Sequence, residues 1–311
     1  MLSRTADHLY WMSRYLERAE NVARMIDAQQ RLSPLPRAPE AVVQGWQATL
    51  VSLGVGGAFF ARYQTLSARL AFDFLAFERQ HSGSIVQCLR AARENARAIR
   101  GTITSDVWET LNSSYLESVA FTAAMPESAR GEFLEWVKSR AHLIRGVMSA
   151  TLLRDEALYF TRIGTYIERA DNTTRLLESR WRDPGGSGER LRAEASEWAV
   201  LLRAMSAFEI FRRLYRDSVT PQRVTEMLLM RDDLPQSVHC CLDELQSNLA
   251  AVANSRSDET CRRVGELHAR FHFGRFEDFR SEGLPQFLDR CQARLRDLGA
   301  RIADDFLVST S

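Results

Sequence analysis

At 311 residues with 45% hydrophobic side chains, the chain can bury a sizeable core and is too apolar to be disordered throughout. Its 41 Lys+Arg against 40 Asp+Glu leave a formal charge of +1, so no global field draws it to nucleic acid or a membrane surface. No stretch reaches the roughly 18 uninterrupted apolar residues of a membrane-spanning helix, and there is no G-x-x-x-x-G-K-[ST] phosphate loop.

The chain opens on Met1-Leu-Ser-Arg-Thr-Ala-Asp-His8, with no apolar run of signal-peptide type. The five cysteines, Cys88, Cys240, Cys241, Cys261 and Cys291, are odd in number and lack C-x-x-C spacing. They read as reduced, mostly buried thiols of a cytoplasmic protein.

The first predicted helix covers 3–30, with Ser3 and Thr5 as N-cap candidates. Leu9, Met12, Leu16, Ala19, Ala23 and Ile26 follow spacings of 3, 4, 3, 4 and 3, an apolar seam of coiled-coil type. A proline-rich break, Ser33-Pro-Leu-Pro-Arg-Ala-Pro39, follows. Further helices are expected near 40–68, 69–79, 83–101, 104–120 and 128–150. Residues 150–155 contain neither Pro nor Gly, so a nearly continuous helix is expected across them.

A second long helix is predicted over 154–181, with Phe160, Ile163, Ile167, Ala170, Thr174 and Leu177 repeating the seam. The break Pro184-Gly-Gly-Ser-Gly188 comes next, then helices near 188–217, 220–231, 235–253, 257–272 and 284–307. Thr220-Pro221 reads as an N-cap with proline at the first helical position, and Leu234-Pro235 as a helix boundary. Period-2 alternation is absent, so no sheet is predicted. The expected fold is all-α, a bundle of about ten to twelve helices.

Self-comparison points to an internal duplication of a unit of about 150 residues. Tyr15-Leu-Glu-Arg-Ala-Glu-Asn-Val-Ala-Arg24 returns as Tyr166-Ile-Glu-Arg-Ala-Asp-Asn-Thr-Thr-Arg175, 151 positions on. Trp46, Leu50 and Tyr63 recur as Trp198, Leu202 and Tyr215 at 152, and Ser84-Ile-Val-Gln-Cys-Leu89 recurs as Ser237-Val-His-Cys-Cys-Leu242 at 153. So slow a drift means duplication with few insertions. The expected units are 1–150 and 151–311, related by a pseudo-twofold axis within one body.

The repeated helix has a second, polar face. Glu17, Asn21 and Arg24 lie away from the seam, as do Glu168, Asn172 and Arg175. Arg18 and Arg169 flank these stripes, and Tyr10 and Arg14 extend the first one. Three readings stand: a solvated face, a buried polar network between helices, or a site where guanidinium meets carboxylate or phosphate. In the last, Glu17 and Glu168 are the catalytic candidates. We expect both helices to be central, with Glu17, Arg18, Asn21 and Arg24 near Glu168, Arg169, Asn172 and Arg175, and cross-pairing of Glu17 with an arginine of the second helix and Glu168 with one of the first.

His268 and His272 are spaced for a metal and lie near Glu266, but no H-E-x-x-H accompanies them and the first half has no counterpart. No metal and no cofactor are expected. Gly54-Val-Gly-Gly57 follows no strand, and its counterpart Ser206-Ala-Phe-Glu209 falls in a helical stretch, so it reads as a kink or a close helix contact.

The run Leu2-Ser-Arg-Thr-Ala-Asp-His-Leu-Tyr-Trp-Met-Ser-Arg-Tyr-Leu-Glu-Arg-Ala-Glu-Asn21 resembles the bacterial alpha-E family, named for an all-helical domain with a Glu-Arg motif. Ala92-Arg-Glu-Asn-Ala-Arg97, Trp108 with Leu111-Asn112, and Ile167-Glu-Arg-Ala-Asp-Asn172 also look like family motifs. Members are typically encoded beside, or fused to, a circularly permuted ATP-grasp protein, often with a transglutaminase-like protease nearby. The resemblance implies a role in an ATP-dependent system that makes or modifies peptides or other amides. The preferred expectation is a non-hydrolytic partner that binds the ligase or its peptide or amino-acid-derived substrate. The rivals are an enzyme of that pathway using the Glu-Arg-Asn stripes, and a structural bundle with a buried ion-pair network.

Overall fold

A computed structural model of the protein describes residues 1–32, 39–181, 197–216 and 218–307. The breaks expected at 33–38 and 184–188, and the start of the helix expected near 188, lie outside the described residues. The described residues are helical with no strand.

In chain order the helices are α1 (Ser3–Leu32), α2 (Pro39–Ser52), α3 (Gly56–Phe60), α4 (Ala68–Phe77), α5 (Ile85–Ala98), α6 (Ser105–Ser118), α7 (Glu127–Thr151) and α8 (Glu156–Trp181). They continue as α9 (197–204), α10 (Phe208–Tyr215), α11 (Pro221–Met230), α12 (Val238–Ala251), α13 (Asp258–His272), α14 (Phe276–Ser281) and α15 (Leu284–Phe306). Among the described residues fifteen helices replace the ten to twelve expected, because long predicted stretches are broken. The stretch near 40–68 splits at Gly54, whose φ of 71° ends α2, and that near 188–217 splits at Ser206, whose φ is 51°. These two left-handed residues lie 152 positions apart, and Ser206 sits between helices rather than inside one.

No continuous helix crosses 150–155. Leu152 turns to ψ 141° and stops α7, while the Asp155 carboxylate accepts from the Ala157 amide (2.9 Å) and starts α8. Thr220 caps α11 through the Arg223 amide, with Pro221 inside the first turn. Ser3 and Thr5 both lie within the first turn of α1 rather than at its cap. Among the described residues, no helix is long and apolar enough to cross a membrane.

Both seams are buried. Leu9, Met12, Ala23, Ile26, Ile163, Ala170 and Leu177 are shielded from solvent completely or nearly so, and each large side chain among them contributes about 1.5–3 kcal/mol by leaving water. Helices α1 and α8 form the centre. Helix α1 packs against α5, α5 against α6, α6 against α7, and α7 returns to α1. Helix α8 packs against α12, α12 against α13, α13 against α15, and α15 returns to α8.

The two central helices lie side by side and run in the same direction, since Tyr10 meets Gly164, Arg14 meets Glu168 and Glu17 meets Arg169. The tightest approach is at Gly164. A Cβ there would stand 3.1 Å from the Tyr10 carbonyl carbon and 3.2 Å from its Cα. The missing side chain lets the backbones come together.

The thiols fit the core. All five are unpaired, and burial pushes the Cys88 and Cys291 thiols up to about 12.

Candidate functional site

With the seams turned to α5, α7, α12 and α15, the polar stripes of α1 and α8 face each other across the crossing. Two reciprocal clamps result. Glu17 accepts from Arg169 through both oxygens, from Nε at 2.7 Å and Nη2 at 3.0 Å. Glu168 accepts from Arg18 in the same way, from Nε at 2.7 Å and Nη2 at 3.1 Å. This is the expected cross-pairing.

Each clamp has a second arginine. Arg14 donates to Glu168 at 2.8 Å and to the Tyr10 hydroxyl at 3.1 Å, with its guanidinium over the Trp11 ring. Arg145 of α7, unmarked by the repeat, donates to Glu17 at 3.1 Å. Arg169 also reaches the Pro235 carbonyl at 3.2 Å. Burial pushes the Glu168 carboxyl up, but Arg18 and then Arg14 overcome this and hold it below the usual carboxylate range.

The remaining stripe residues part company. Asn21, Asn172 and Arg175 face a cavity of about 530 Å³ beside the Arg18–Glu168 clamp. Arg24 does not reach it. It turns instead to Glu20, His142 and Ser206, so its placement among the second helix's stripe is corrected. The reason is local: at 100° per residue Arg24 shares its helix face with Glu20 and Glu17, towards α7, whereas Asn21 follows Arg14 and Arg18.

The cavity is walled by α1 (Trp11, Arg14, Arg18, Asn21), α8 (Glu168, Asp171, Asn172, Arg175), the 81–83 turn and α15 (Arg296, Gly299). Arg175 pairs with Asp171 at 2.6 Å. Its guanidinium lies against Gly54, where no side chain intrudes. Four arginines face two carboxylates, so the lining carries two surplus positive charges. Arg296 stands exposed at the mouth and makes no ion pair among the described residues. The buried Nδ2 of Asn172 and Oδ1 of Asp171 have no hydrogen-bond partner there. His81 stacks on Phe74, and burial, then Arg18, lowers its pKa.

Sequence reasoning missed His81, Trp11, Arg145 and Arg296, for which no repeated pattern gave a signal. It also passed over Glu20 and Asp171, although both copies carry an acid there. Glu20 is bound by Arg24, Arg145 and His142. Burial raises its pKa, and His142, Arg145 and Arg24 together bring it far below the usual range.

Glu168 and Glu20 are harder to protonate in the folded chain than in the unfolded one. Their contribution to stability is complete above the ordinary glutamate value of 4.5 and lost as the pH falls below it. Urea midpoints are therefore expected to drop steeply between about pH 5 and about pH 3. Glu20→Gln and Glu168→Gln should each flatten that drop; unchanged slopes in both would contradict the assignment.

A second polar cluster lies away from the crossing, on α12 and α13, where His239, Asp243, His268 and His272 bring their side chains together. Glu266 is not part of it and pairs with Arg262. The family-type residues Arg93 and Asn112 bond at 2.8 Å and tie α5 to α6, with Arg93 over the Trp108 ring.

A family model described as a predicted alpha-helical domain with a conserved ER motif matches residues 1–307. The chain belongs to the Alpha-E family. Both Glu-Arg dipeptides singled out above, Glu17-Arg18 and Glu168-Arg169, form the clamps of this Alpha-E chain.

An uncharacterised protein of Mycobacterium bovis is 26% identical over 330 aligned positions, covering 95% of this chain and 36% of that protein. An uncharacterised protein of Mycobacterium tuberculosis strain CDC 1551 gives the same figures, and one from strain H37Rv is 25% identical over the same coverage. The Alpha-E chain thus spans about a third of the length of these relatives. No solved structure matches it.

Proposed function

We propose that this Alpha-E protein is a cytoplasmic, non-hydrolytic helical partner of an ATP-grasp ligase, and that its α1–α8–α15 cavity holds a carboxylate or phosphate group of the peptide or amino-acid-derived substrate. The cavity is the observation that carries this reading. Its volume of about 530 Å³ suits a small ligand, its charge is positive, and it presents an unengaged guanidinium and an unsatisfied amide donor.

The acid–base rival is less well supported. Glu168 lines the cavity but is held as an anion by two arginines, and Glu17 lies outside it between Arg169 and Arg145. A general base near neutral pH needs a raised pKa. A purely structural bundle accounts for the clamps but not for the unsatisfied groups at the cavity wall. The length of the relatives, of which the matched region is 36%, is consistent with a module that works beside others.

The test mixes the purified protein with the circularly permuted ATP-grasp protein of the same genome and follows ATP turnover. Alone, the helical protein should not hydrolyse ATP; together, the ligase rate should change, and Arg296→Ala should weaken the effect without altering the fold. Robust turnover of a peptide or amide by this protein alone would replace this reading with the enzymatic one.

We also infer that the halves descend from a duplicated unit. The like packing order of α1–α7 and α8–α15 and the paired left-handed residues Gly54 and Ser206 support this. An experimental structure whose halves differ in helix order overturns it.

A further inference from the structure

We propose that His239, Asp243, His268 and His272 form a zinc-class metal site that ties α12 to α13. The spacing sets the geometry. His239 and Asp243 are one turn apart on α12, and His268 and His272 one turn apart on α13, so each pair presents two donors on one helix face. The helices pack against each other, and one ligand atom from each of the four residues lies within 4.8 Å of all the others.

The buried histidine is the telling one. His239 has a side chain only 8% exposed, and its Nδ1 donates to the Met230 carbonyl at 2.9 Å. That bond places the proton on Nδ1 and leaves Nε2 with a free lone pair, the arrangement that orients metal-bound histidines. Nε2 is buried with no hydrogen-bond partner among the described residues, and it points at Asp243, whose Oδ1 is 3.6 Å away. His268 Nε2 stands 2.5 Å from the same Oδ1. The His272 ring stacks on His268 at 5.2 Å between centroids and faces His239 at 5.6 Å.

Three imidazoles and one carboxylate are a donor set for zinc or a neighbouring late first-row divalent ion rather than for calcium or magnesium. Ligand bonds of about 2.0–2.1 Å put tetrahedral donors about 3.3 Å apart, so on binding the wider separations close and the His268–Asp243 contact opens. Four protein ligands fill a tetrahedral shell, which makes the site structural rather than catalytic. His272, exposed at the surface, gives the ion its way in.

The test uses the full chain, free of any affinity tag and stripped with chelator, titrated with cobalt(II) and zinc(II) chloride. Wild type should take up one cobalt with the visible ligand-field bands of a tetrahedral site, lose them to zinc, and melt higher with zinc present. His268→Ala and His272→Ala should weaken binding by at least about 100-fold, since outer-shell partners alone count for about 10–100-fold. His272 is exposed, so that variant should keep the wild-type circular dichroism. Absence of the cobalt bands in wild type overturns the proposal, and so does equal binding by the folded His272→Ala and Asp243→Asn variants.

Discussion

Glu17→Gln is expected to cost about 3–5 kcal/mol of unfolding free energy, the range for leaving one partner of a buried pair uncompensated. The two side chains of the Glu17–Arg169 clamp are only 7% and 9% exposed. Glutamine would leave Arg169 one neutral amide oxygen and the Pro235 carbonyl, but no counter-charge. With unfolding entropy near 2.1 cal/mol/K per residue, the loss corresponds to a Tm lower by about 5–8 °C. Glu168→Gln should cost less, because Arg18 and Arg14, at 29% and 19% exposure, still reach water. The double variant Glu17→Leu with Arg169→Met should be less destabilised than Glu17→Gln, since apolar groups of similar volume can replace a buried pair. Two silent glutamines in thermal melts would mean that the clamps are solvated and weak.

A comparable loss is expected at the point where the central helices touch. Gly164→Ala should destabilise the protein by about 2 kcal/mol, set by about 3 of overpacking against about 1 of improved helix propensity. Overpacking takes the upper end of its usual range because the obstacle is the Tyr10 backbone, which cannot rotate away as a side chain can. Gly164→Val should cost more. Gly146, exposed within α7 with nothing near its missing Cβ, supplies the control. There alanine should stabilise by about 0.5–1 kcal/mol. Denaturant unfolding of the two alanine variants separates these cases, and equal signs would refute the close approach.

These expectations bear on how much of the molecule was written plainly in the chain. The central helices were readable because their seams are local and long, and because two similar stretches could be compared. The clamps were readable for the same reason, since Glu-Arg-Ala-acid-Asn stands in both stretches and an exposed face does not require it. The break after α7 was hidden by the lack of Pro or Gly, though Asp155 carried a capping signal. The glycines at 54–57 marked a kink or contact but not a full break, the break at Ser206 was hidden inside an apolar stretch, and α14 was too short to show a period.

The cavity was illegible for a different reason. It is assembled from a turn at His81, from Arg296 on the last helix and from two central helices, and no spacing links such positions. The histidine cluster was half visible. His268 and His272 declared themselves by spacing, but the i,i+4 pair of His239 and Asp243 gains meaning only when α12 lies beside α13.

The reciprocal clamps carry one further consequence, for inheritance. The counter-charge of Glu17 is Arg169, 152 positions on, and that of Arg18 is Glu168, 150 positions on. A charge lost at one end of the gene therefore leaves an unanswered charge at the other. The two central helices share a mutational fate: either can change only in step with its partner, and paired substitutions at these positions across relatives are the mark such a constraint leaves.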